Sequence, residues 1–346
     1  MTRIDHAPRV AVVGYGRWGR YCHCALLRST PGLCLHGVVS GDPGKRQAIV
    51  AEQGCRAYTS LDEALRDDAV DVVVLATPNA AHADQAVAAL QAGKHVVTEK
   101  VMCLDLAECD RMIAAAEQAG RLLTVFQNRR LDGDFLTVQR LIAEGALGDV
   151  RWIEVAWQGF GIWGGWRGQA SMGGGKIYDL GPHLLDQILI LFPEAVTSVY
   201  CRTHHDLAER DVESEGFIVI GFESGRTAVV DVSSLAAVQK PRFVVRGTAG
   251  TFVKHGLDPQ EKAMMAGVID RAQEPASQYG LLRSRDQARL VPTLPGRWRG
   301  WYENLRDALT CGAAPLVTLP QARRLMAVLS AARRSAASGQ VVTEDL

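Results

Sequence analysis

The sequence is poor in lysine, has no excess of either charge and contains no long apolar run. Only seven of the 38 basic residues are lysine, and 38 acidic residues bring the net charge of this 346-residue chain to zero. Proteins that coat nucleic acids carry a clear excess of lysine and arginine, so this class is excluded. No apolar run reaches the roughly 18 residues of a membrane span, and the opening MTRIDHAPRV lacks the apolar core of a signal peptide. We therefore expect a cytoplasmic protein whose partner is neither a membrane nor a nucleic acid.

Patterns typical of metal sites and disulfides are also missing. The eight cysteines form no C-x-x-C pair, and no His/Cys spacing resembles a zinc site. A chain of this length buries a large core and needs neither disulfide bonds nor a bound metal ion to fold. We expect free thiols and no metal.

A glycine motif follows the first apolar run. Arg9–Val13 is typical of a buried strand, and it leads into Gly14-Tyr15-Gly16-Arg17-Trp18-Gly19, a helical stretch to about Arg28 and a second strand at Leu35–Val39. In a dinucleotide-binding motif the three glycines provide a tight turn, close approach of a pyrophosphate, and close packing of helix on strand. The helix N-terminus then offers N–H groups to the phosphates. The alternative is a glycine-rich turn in an unrelated α/β protein.

The alternation of strands and helices favours the dinucleotide-binding interpretation. Alternation of this kind predicts a parallel, doubly wound Rossmann sheet, which we assign to residues 1–126. The further predicted strands are Asp71–Leu75, His95–Thr98 and Leu122–Val125, and the helices between them are Asn79–Gln91 and Leu104–Ala119.

The end of the second strand bears on the choice of cofactor. NAD-binding proteins usually carry an acid there that accepts a hydrogen bond from the ribose 2′-hydroxyl. This chain has Ser40 and Gly41 instead, and its first acid, Asp42, comes two residues after the expected position. Lys45 and Arg46 then begin the next helix. Small residues followed by two cations suit a 2′-phosphate, so NADP(H) is favoured and NAD(H) remains possible. The alternative is that Asp42 caps the helix and the two cations form a solvated face.

The sequence pattern predicts a second domain over residues 127–346, of the α+β class with a large, mostly antiparallel sheet. Short turn-like connections separate its apolar runs, and a helix over 179–192 would cover one face of the sheet. Residues 258–296 have little periodicity, so we expect an irregular segment there. The predicted strands are Val150–Gln158, Val196–His204, Gly216–Phe222, Thr227–Ser233, Arg242–Arg246 and Thr251–His255, and helices at about 298–310 and 320–338 follow.

Three motifs resemble the glucose-fructose oxidoreductase/inositol dehydrogenase (Gfo/Idh/MocA) family. They are T-P-N-x-x-H at Thr77–His82, G-K-H-V-x-x-E-K at Gly93–Lys100, and G-G-G-x-x-x-D-x-G-x-H-x-x-D at Gly173–Asp186. Within the family, other stretches look closest to the NADP-dependent scyllo-inositol dehydrogenase-like branch. These are Asn128–Arg130, Asp132–Phe135, Trp166-Arg167 and Lys254–Glu261.

The resemblance implies a catalytic group of Lys100, Asp179 and His183. Histidine suits proton transfer from a hydroxyl because its pKa lies near the working pH. An ammonium group can stabilise alkoxide character on the reacting oxygen, and a carboxylate four residues before His183 can orient the imidazole or hold a substrate hydroxyl. Alternatively, Asp179 is only a helix N-cap, with Pro182 in the first turn. The resemblance also implies cofactor contacts at Thr77, Pro78, Asn79, His82, Glu99, Lys100 and Asn128, although Pro78-Asn79 is by itself a helix start.

Val101 departs from the family pattern, which has proline after the E-K pair, usually in a cis peptide bond. A cis bond before any other residue costs about 2.5–4 kcal/mol. We therefore predict a trans Lys100–Val101 bond and a shifted Lys100.

The glycine-rich segment 159–175 shows no helical or strand period. Long irregular connections often form lids or binding loops. Trp163 and Trp166 would suit the C–H faces of a sugar, and Arg129, Arg130 and Arg167 could bind hydroxyls; the alternative is tryptophans buried for packing.

Together these features predict NAD(P)-dependent interconversion of a ring secondary alcohol and a ketone. The substrate would be a cyclitol, a sugar or an amino-sugar derivative. Two alternatives stay open: a tailoring dehydrogenase that acts on a glycosylated metabolite, and a nucleotide-binding regulatory protein with little turnover. The family uses the second sheet for subunit contact, so the resemblance implies a homodimer or homotetramer.

Overall fold

The computed structural model describes residues 3–161, 164–206, 210–344 and 346. The chain forms two compact units. The first unit contains residues 1–128, 262–269 and 297–323, and the second contains residues 129–261, 270–296 and 324–346.

Strands and helices alternate in the first half of the chain, and strands predominate in the second. The strands are β1 (Arg9–Val13), β2 (Cys34–Val39), β3 (Arg56–Tyr58), β4 (Val72–Leu75), β5 (His95–Thr98), β6 (Leu123–Val125), β7 (Val150–Gln158), β8 (Val196–His204), β9 (Glu215–Phe222), β10 (Thr227–Ser233), β11 (Phe243–Gly247), β12 (Thr251–Lys254), β13 (Gly280–Arg283) and β14 (Ala288–Val291). The helices are α1 (Cys24–Ser29), α2 (Pro43–Gln53), α3 (Leu61–Leu65), α4 (His82–Gln91), α5 (Leu106–Ala119), α6 (Gly133–Ala143), α7 (Lys176–Leu191), α8 (Gln260–Met265), α9 (Arg299–Thr310) and α10 (Leu319–Ser338).

Six parallel strands form the sheet of the first unit, in the order β3-β2-β1-β4-β5-β6. This is the order of a dinucleotide-binding Rossmann sheet. The strands β4 and β5 are buried along their whole length, which explains their unbroken apolar sequences. A wide π-helical turn over Gly19–His23 precedes α1, where the sequence predicted one regular helix.

Eight strands form the sheet of the second unit, in the order β14-β13-β12-β11-β7-β10-β9-β8. Neighbouring strands are antiparallel except β7 and β10, which are parallel. Helix α7 packs against β7, β9 and β10, and nearly all of its residues are buried. The predicted fold class, a Rossmann sheet plus a mostly antiparallel sheet, is confirmed.

The expectation of an irregular segment at 258–296 was wrong. The strands β13 and β14 lie within it and extend the second sheet beyond β12. The sequence pattern missed them because each strand has only four residues and carries exposed arginines beside its leucines. Across the described ranges, no helix is long and apolar enough to cross a membrane.

Candidate active site

The glycine motif after β1 has the geometry of a phosphate-binding loop. Gly14 has φ +104°, and a Cβ added there would lie 2.6 Å from the carbonyl oxygen of Ala76. A Cβ on Gly19 would collide with the carbonyl oxygen of Gly14, whereas one on Gly16 would meet nothing within 4 Å. Gly14 and Gly19 are therefore required by packing inside the protein. Gly16 leaves open space next to the backbone, so the loop fits a dinucleotide pyrophosphate.

Three side chains of this motif contact residues outside the loop. The Tyr15 hydroxyl donates a 2.6 Å hydrogen bond to Glu52 at the end of α2, and burial, followed by this bond, raises the pKa of Tyr15 to about 12. The Arg17 Nε donates to the Met265 sulfur at 3.4 Å, and the Trp18 ring centroid lies 6.1 Å from that of Trp298.

The end of β2 offers hydroxyl and guanidinium groups but no carboxylate at Ser40. The Arg46 Nη1 donates to the Ser40 carbonyl oxygen at 2.9 Å, while Lys45 is exposed. Asp42 caps α2, as the alternative interpretation predicted, because its Oδ1 accepts from the Lys45 N–H at 3.1 Å. Gly41 is exposed with open space at its Cβ position. The site thus lacks the acid that would repel a 2′-phosphate.

The segment after β4 is packed inside the first unit. Pro78 precedes a short 3-10 turn over Asn79–Ala81, and Asn79 is buried. The His82 ring is fully buried, with Nε2 3.0 Å from the Thr77 carbonyl oxygen and Nδ1 2.8 Å from that of Val101. Burial lowers the pKa of His82, although the hydrogen bonds to these two carbonyl oxygens oppose the shift.

The prediction of a trans Lys100–Val101 bond was wrong, because the bond is cis. The intrinsic preference of the peptide bond alone favours trans. In the structure Val101 is fully buried, and its carbonyl oxygen is held by the His82 ring. Packing around this residue therefore decides the local conformation.

Lys100 follows the carboxyl end of β5, the edge at which open α/β sheets bind ligands. It is 9% exposed, and the preceding Glu99 is 8% exposed. The Glu99 Oε2 accepts a hydrogen bond from the Lys100 N–H at 3.0 Å. Glu99 therefore faces inward and holds the backbone of Lys100. Asn128, which follows β6 in the same unit, is 1% exposed.

Asp179 and His183 lie one turn apart on α7. They are separated by four residues, so both side chains project from one face of the helix. The Arg167 Nε is 3.4 Å from the Asp179 Oδ1, and its guanidinium lies 4.4 Å from the Trp166 ring centroid. The structure thus brings Trp166, Arg167 and Asp179 together, while Trp163 lies outside the described residues.

The interpretation of Asp179 as the N-cap was wrong. Helix α7 begins at Lys176 after the N-cap Gly175, so Asp179 is in its first turn and Pro182 is inside the helix. The cap comes from a distant residue instead: the Glu213 Oε1 accepts from the Ile177 N–H at 2.7 Å. A Cβ at Gly175 would clash with that carboxylate, and burial raises the pKa of Glu213.

Trp157 and Lys176 are site residues that the sequence reasoning missed. The Trp157 indole stacks on the His183 imidazole with centroids 5.8 Å apart. Side chains alternate between the two faces of a strand, so Trp157 lies on the same face of β7 as the core residues Ile153 and Val155. This alternation could have identified it. Lys176 is buried one turn before Asp179, and burial lowers its pKa to about 8 although Asp179 opposes the shift.

Arg129 and Arg130 lie in buried ion pairs. Arg129 is 2% exposed and pairs with Asp132 at 3.1 Å and with Glu261 at 2.5 Å. Burial opposes the charge on Arg129, but these carboxylates outweigh it and raise its pKa. Arg130 makes a two-point pair with Asp186 at 2.6 and 2.8 Å. Among the described residues, no group of three or more His, Cys, Asp or Glu side chains could hold a metal ion.

Comparisons with known proteins agree with this fold. Residues 8–127 match a family described as an oxidoreductase family with an NAD-binding Rossmann fold, and residues 135–253 match the GFO/IDH/MocA C-terminal domain. The chain is 35% identical to the oxidoreductase YdgJ of Escherichia coli, over 95% of this chain and 96% of that one. It is 31% identical to the scyllo-inositol 2-dehydrogenase (NADP+) IolW of Bacillus subtilis, over 94% and 93%. It also resembles the crystal structure of an NAD-binding protein from Listeria innocua, with TM-score 0.86, 29% identity and 98% and 97% coverage.

Proposed function

Because the chain belongs to the Gfo/Idh/MocA family of NAD(P)-binding oxidoreductases, we propose that it interconverts a ring secondary alcohol and the matching ketone on a cyclitol or a sugar. The observation that carries this proposal is the pair of Asp179 and His183 on one face of α7, with Arg167 bound to the carboxylate. The named activity of IolW, which aligns along nearly the whole chain, supports a polyol substrate.

Each catalytic side chain has a distinct role in this proposal. His183 takes the proton from the substrate hydroxyl during oxidation and returns it during reduction. The Lys100 ammonium donates a hydrogen bond to the reacting oxygen and stabilises its negative charge in the transition state. Asp179, held by Arg167, accepts a hydrogen bond from a neighbouring hydroxyl and fixes the ring of the substrate. A bound nicotinamide cofactor supplies or accepts the hydride.

NADP(H) is the proposed cofactor. Ser40 stands where an NAD-specific protein usually carries an acid, and Arg46 lies within hydrogen-bond distance of the Ser40 backbone. The backbone of Gly14–Gly19 would hold the pyrophosphate, and Thr77, Asn79 and Asn128 are proposed to border the rest of the cofactor.

The sheet face opposite α7 is the proposed contact between identical subunits. Phe217 and Leu281 are 39% exposed and Leu290 is 61% exposed. Leu281 and Leu290 are cross-strand partners. A Cβ on Gly216 would meet the Ile177 side chain of α7, so the next residue, Phe217, projects from the opposite face of the sheet. Apolar side chains exposed along one face favour a homodimer or homotetramer.

A substrate panel tests the proposed activity. Cyclitols, sugars and amino sugars, with their ketones, would be incubated with each cofactor while the absorbance of the reduced nicotinamide is followed. We expect turnover of at least one polyol with NADP, and loss of that turnover but retention of cofactor binding in His183→Ala. Absence of turnover across the panel, or an active His183→Ala variant, would contradict the proposal.

A further inference from the structure

A buried chain of three polar side chains lies behind Lys100. The His23 Nε2 is 2.8 Å from the Glu99 Oε1, and the His23 Nδ1 is 2.7 Å from the Tyr302 hydroxyl. His23 and Tyr302 are fully buried. The other oxygen of Glu99 accepts from the Lys100 N–H, so hydrogen bonds run without a break from Tyr302 to the backbone of Lys100.

The hydrogen-bonding capacities of the three side chains match one another. A carboxylate can only accept, so the His23 Nε2 carries a hydrogen and donates it to Glu99. The Tyr302 hydroxyl, which can donate or accept, forms the second hydrogen bond with the His23 Nδ1. Burial raises the pKa of Tyr302 well above its ordinary value, so the phenol keeps its proton. Burial also works to raise the pKa of Glu99, but the hydrogen bond and charge of His23, followed by Lys100, outweigh it and lower that pKa.

The local helix geometry brings His23 to this position. The glycine motif is followed by the π-helical turn Gly19–His23 in place of a regular α-helical turn, a feature often found at functional sites. The His23 ring packs on Phe126, with centroids 4.6 Å apart. Packing against Phe126 and the hydrogen bond with Tyr302 fix the ring from two directions.

We propose that His23 is a positioning residue that acts on Lys100 through Glu99, with Tyr302 fixing the His23 ring. The inference rests on the proposed role of Lys100 in turnover. Both Glu99 oxygens are engaged, one by His23 and one by the backbone N–H of Lys100, so the carboxylate cannot rotate without losing a bond. The strand end that carries the Lys100 amine is thereby held in one place.

Steady-state kinetics test the effect on turnover. His23→Leu should lower kcat by about 100-fold, the loss that misplacing a reacting group causes, while the affinity for NADP stays unchanged. His23→Gln, whose amide can donate to Glu99, should recover most of kcat. His95→Leu is the matched control, because His95 is a buried histidine of the same unit that accepts from the Leu122 N–H. It should lower stability without lowering kcat.

A double-mutant cycle tests whether His23 acts through Lys100. If it does, His23→Leu should cause no further loss in a Lys100→Met background. Independent, multiplicative losses would overturn the proposal, as would a His95→Leu variant that loses kcat as strongly as His23→Leu.

A second readout does not depend on turnover. The chain has only seven lysines, so selective 15N-lysine labelling gives a simple backbone amide spectrum in which Lys100→Arg assigns the Lys100 signal. In folded His23→Leu, the Lys100 amide should shift and exchange with solvent about tenfold faster, the effect of losing one hydrogen bond. The amide of Lys45 should not change. An unperturbed Lys100 amide would overturn the proposal. A wild-type protein that binds NADP but shows no turnover would instead refute the proposed function. The amide measurement would then still decide the role of His23.

Discussion

The indole ring of Trp157 packs against both a proposed acid/base and a buried cation. Its plane is within 27° of the His183 imidazole, at a centroid distance of 5.8 Å, and the Arg129 guanidinium is 4.1 Å from the same ring centroid. Arg129 is neutralised by Asp132 and Glu261. A second guanidinium, that of Arg242, lies 5.8 Å from the same centroid and 3.6 Å from the Asp134 carboxylate. The indole therefore offers His183 a flat aromatic face, and both guanidinium groups near the indole lie beside carboxylates.

Replacement of Trp157 should change the pH dependence of turnover. An aromatic face attracts a cation, so the indole stabilises the protonated form of His183. In Trp157→Leu we expect the limb of the kcat–pH profile that reports His183 to move to lower pH by roughly 0.5–1 unit. Trp157→Phe keeps an aromatic face and is the matched control. An identical profile in the leucine and phenylalanine variants would argue against this role.

A carboxylate at Ser40 should reverse the cofactor preference. Ser40→Asp places a negative charge where we propose the 2′-phosphate, so KM for NADP should rise by about tenfold or more, equivalent to about 1.4 kcal/mol. KM for NAD should fall or stay constant, because the new acid can accept from the ribose hydroxyl. Ser40→Ala controls for loss of the hydroxyl. The proposed preference fails if the aspartate variant still favours NADP to the same extent.

Breaking the buried pair of Arg130 and Asp186 should destabilise the second unit. Both side chains are 6% exposed, and removing one partner leaves a buried charge unpaired. We expect Arg130→Met to lower the free energy of unfolding by about 3–5 kcal/mol, measured by urea denaturation. The double variant Arg130→Met/Asp186→Leu should recover much of that loss, and additive losses would show that the two charges do not compensate each other.

A charge on the proposed subunit contact should dissociate the oligomer. Phe217→Glu removes the burial of a phenylalanine, about 1.5–3 kcal/mol for each copy, and adds a desolvation cost. Sedimentation velocity should show a smaller species for this variant. Val50→Glu is the control, because Val50 is 57% exposed on α2 of the first unit. A wild type that sediments as a monomer would contradict the proposed assembly.

Short-range patterns predicted the first sheet well. The strand β1, the glycine motif and the helix start at Asp42 depend on residues close together in the chain, and each is present in the structure. The strands β13 and β14 could not be identified because exposed arginines stand beside their leucines and two of these leucines, Leu281 and Leu290, are themselves exposed. The Lys100–Val101 bond was predicted wrongly because its conformation depends on the packing around Val101, which the local sequence does not contain.

The supporting residues of the site were harder to predict because their partners are distant in sequence. His23 and Tyr302 are 279 residues apart, and Glu213 caps α7 from 36 residues away. Arg129 and Arg130 were assigned by charge to a substrate role, but charge alone does not reveal the carboxylates that fold back onto them. Their role toward substrate stays a prediction.

The interleaved order of segments in the first unit has a consequence for synthesis of the protein on the ribosome. The glycine motif and Lys100 emerge early, but this unit also needs residues 297–323, and Tyr302 is among them. The nascent chain therefore contains the glycine motif long before the hydrogen bond between Tyr302 and His23 can form. Tyr302 is synthesised only after all strands of the second sheet, so the proposed support of Lys100 is completed late in the synthesis of the chain.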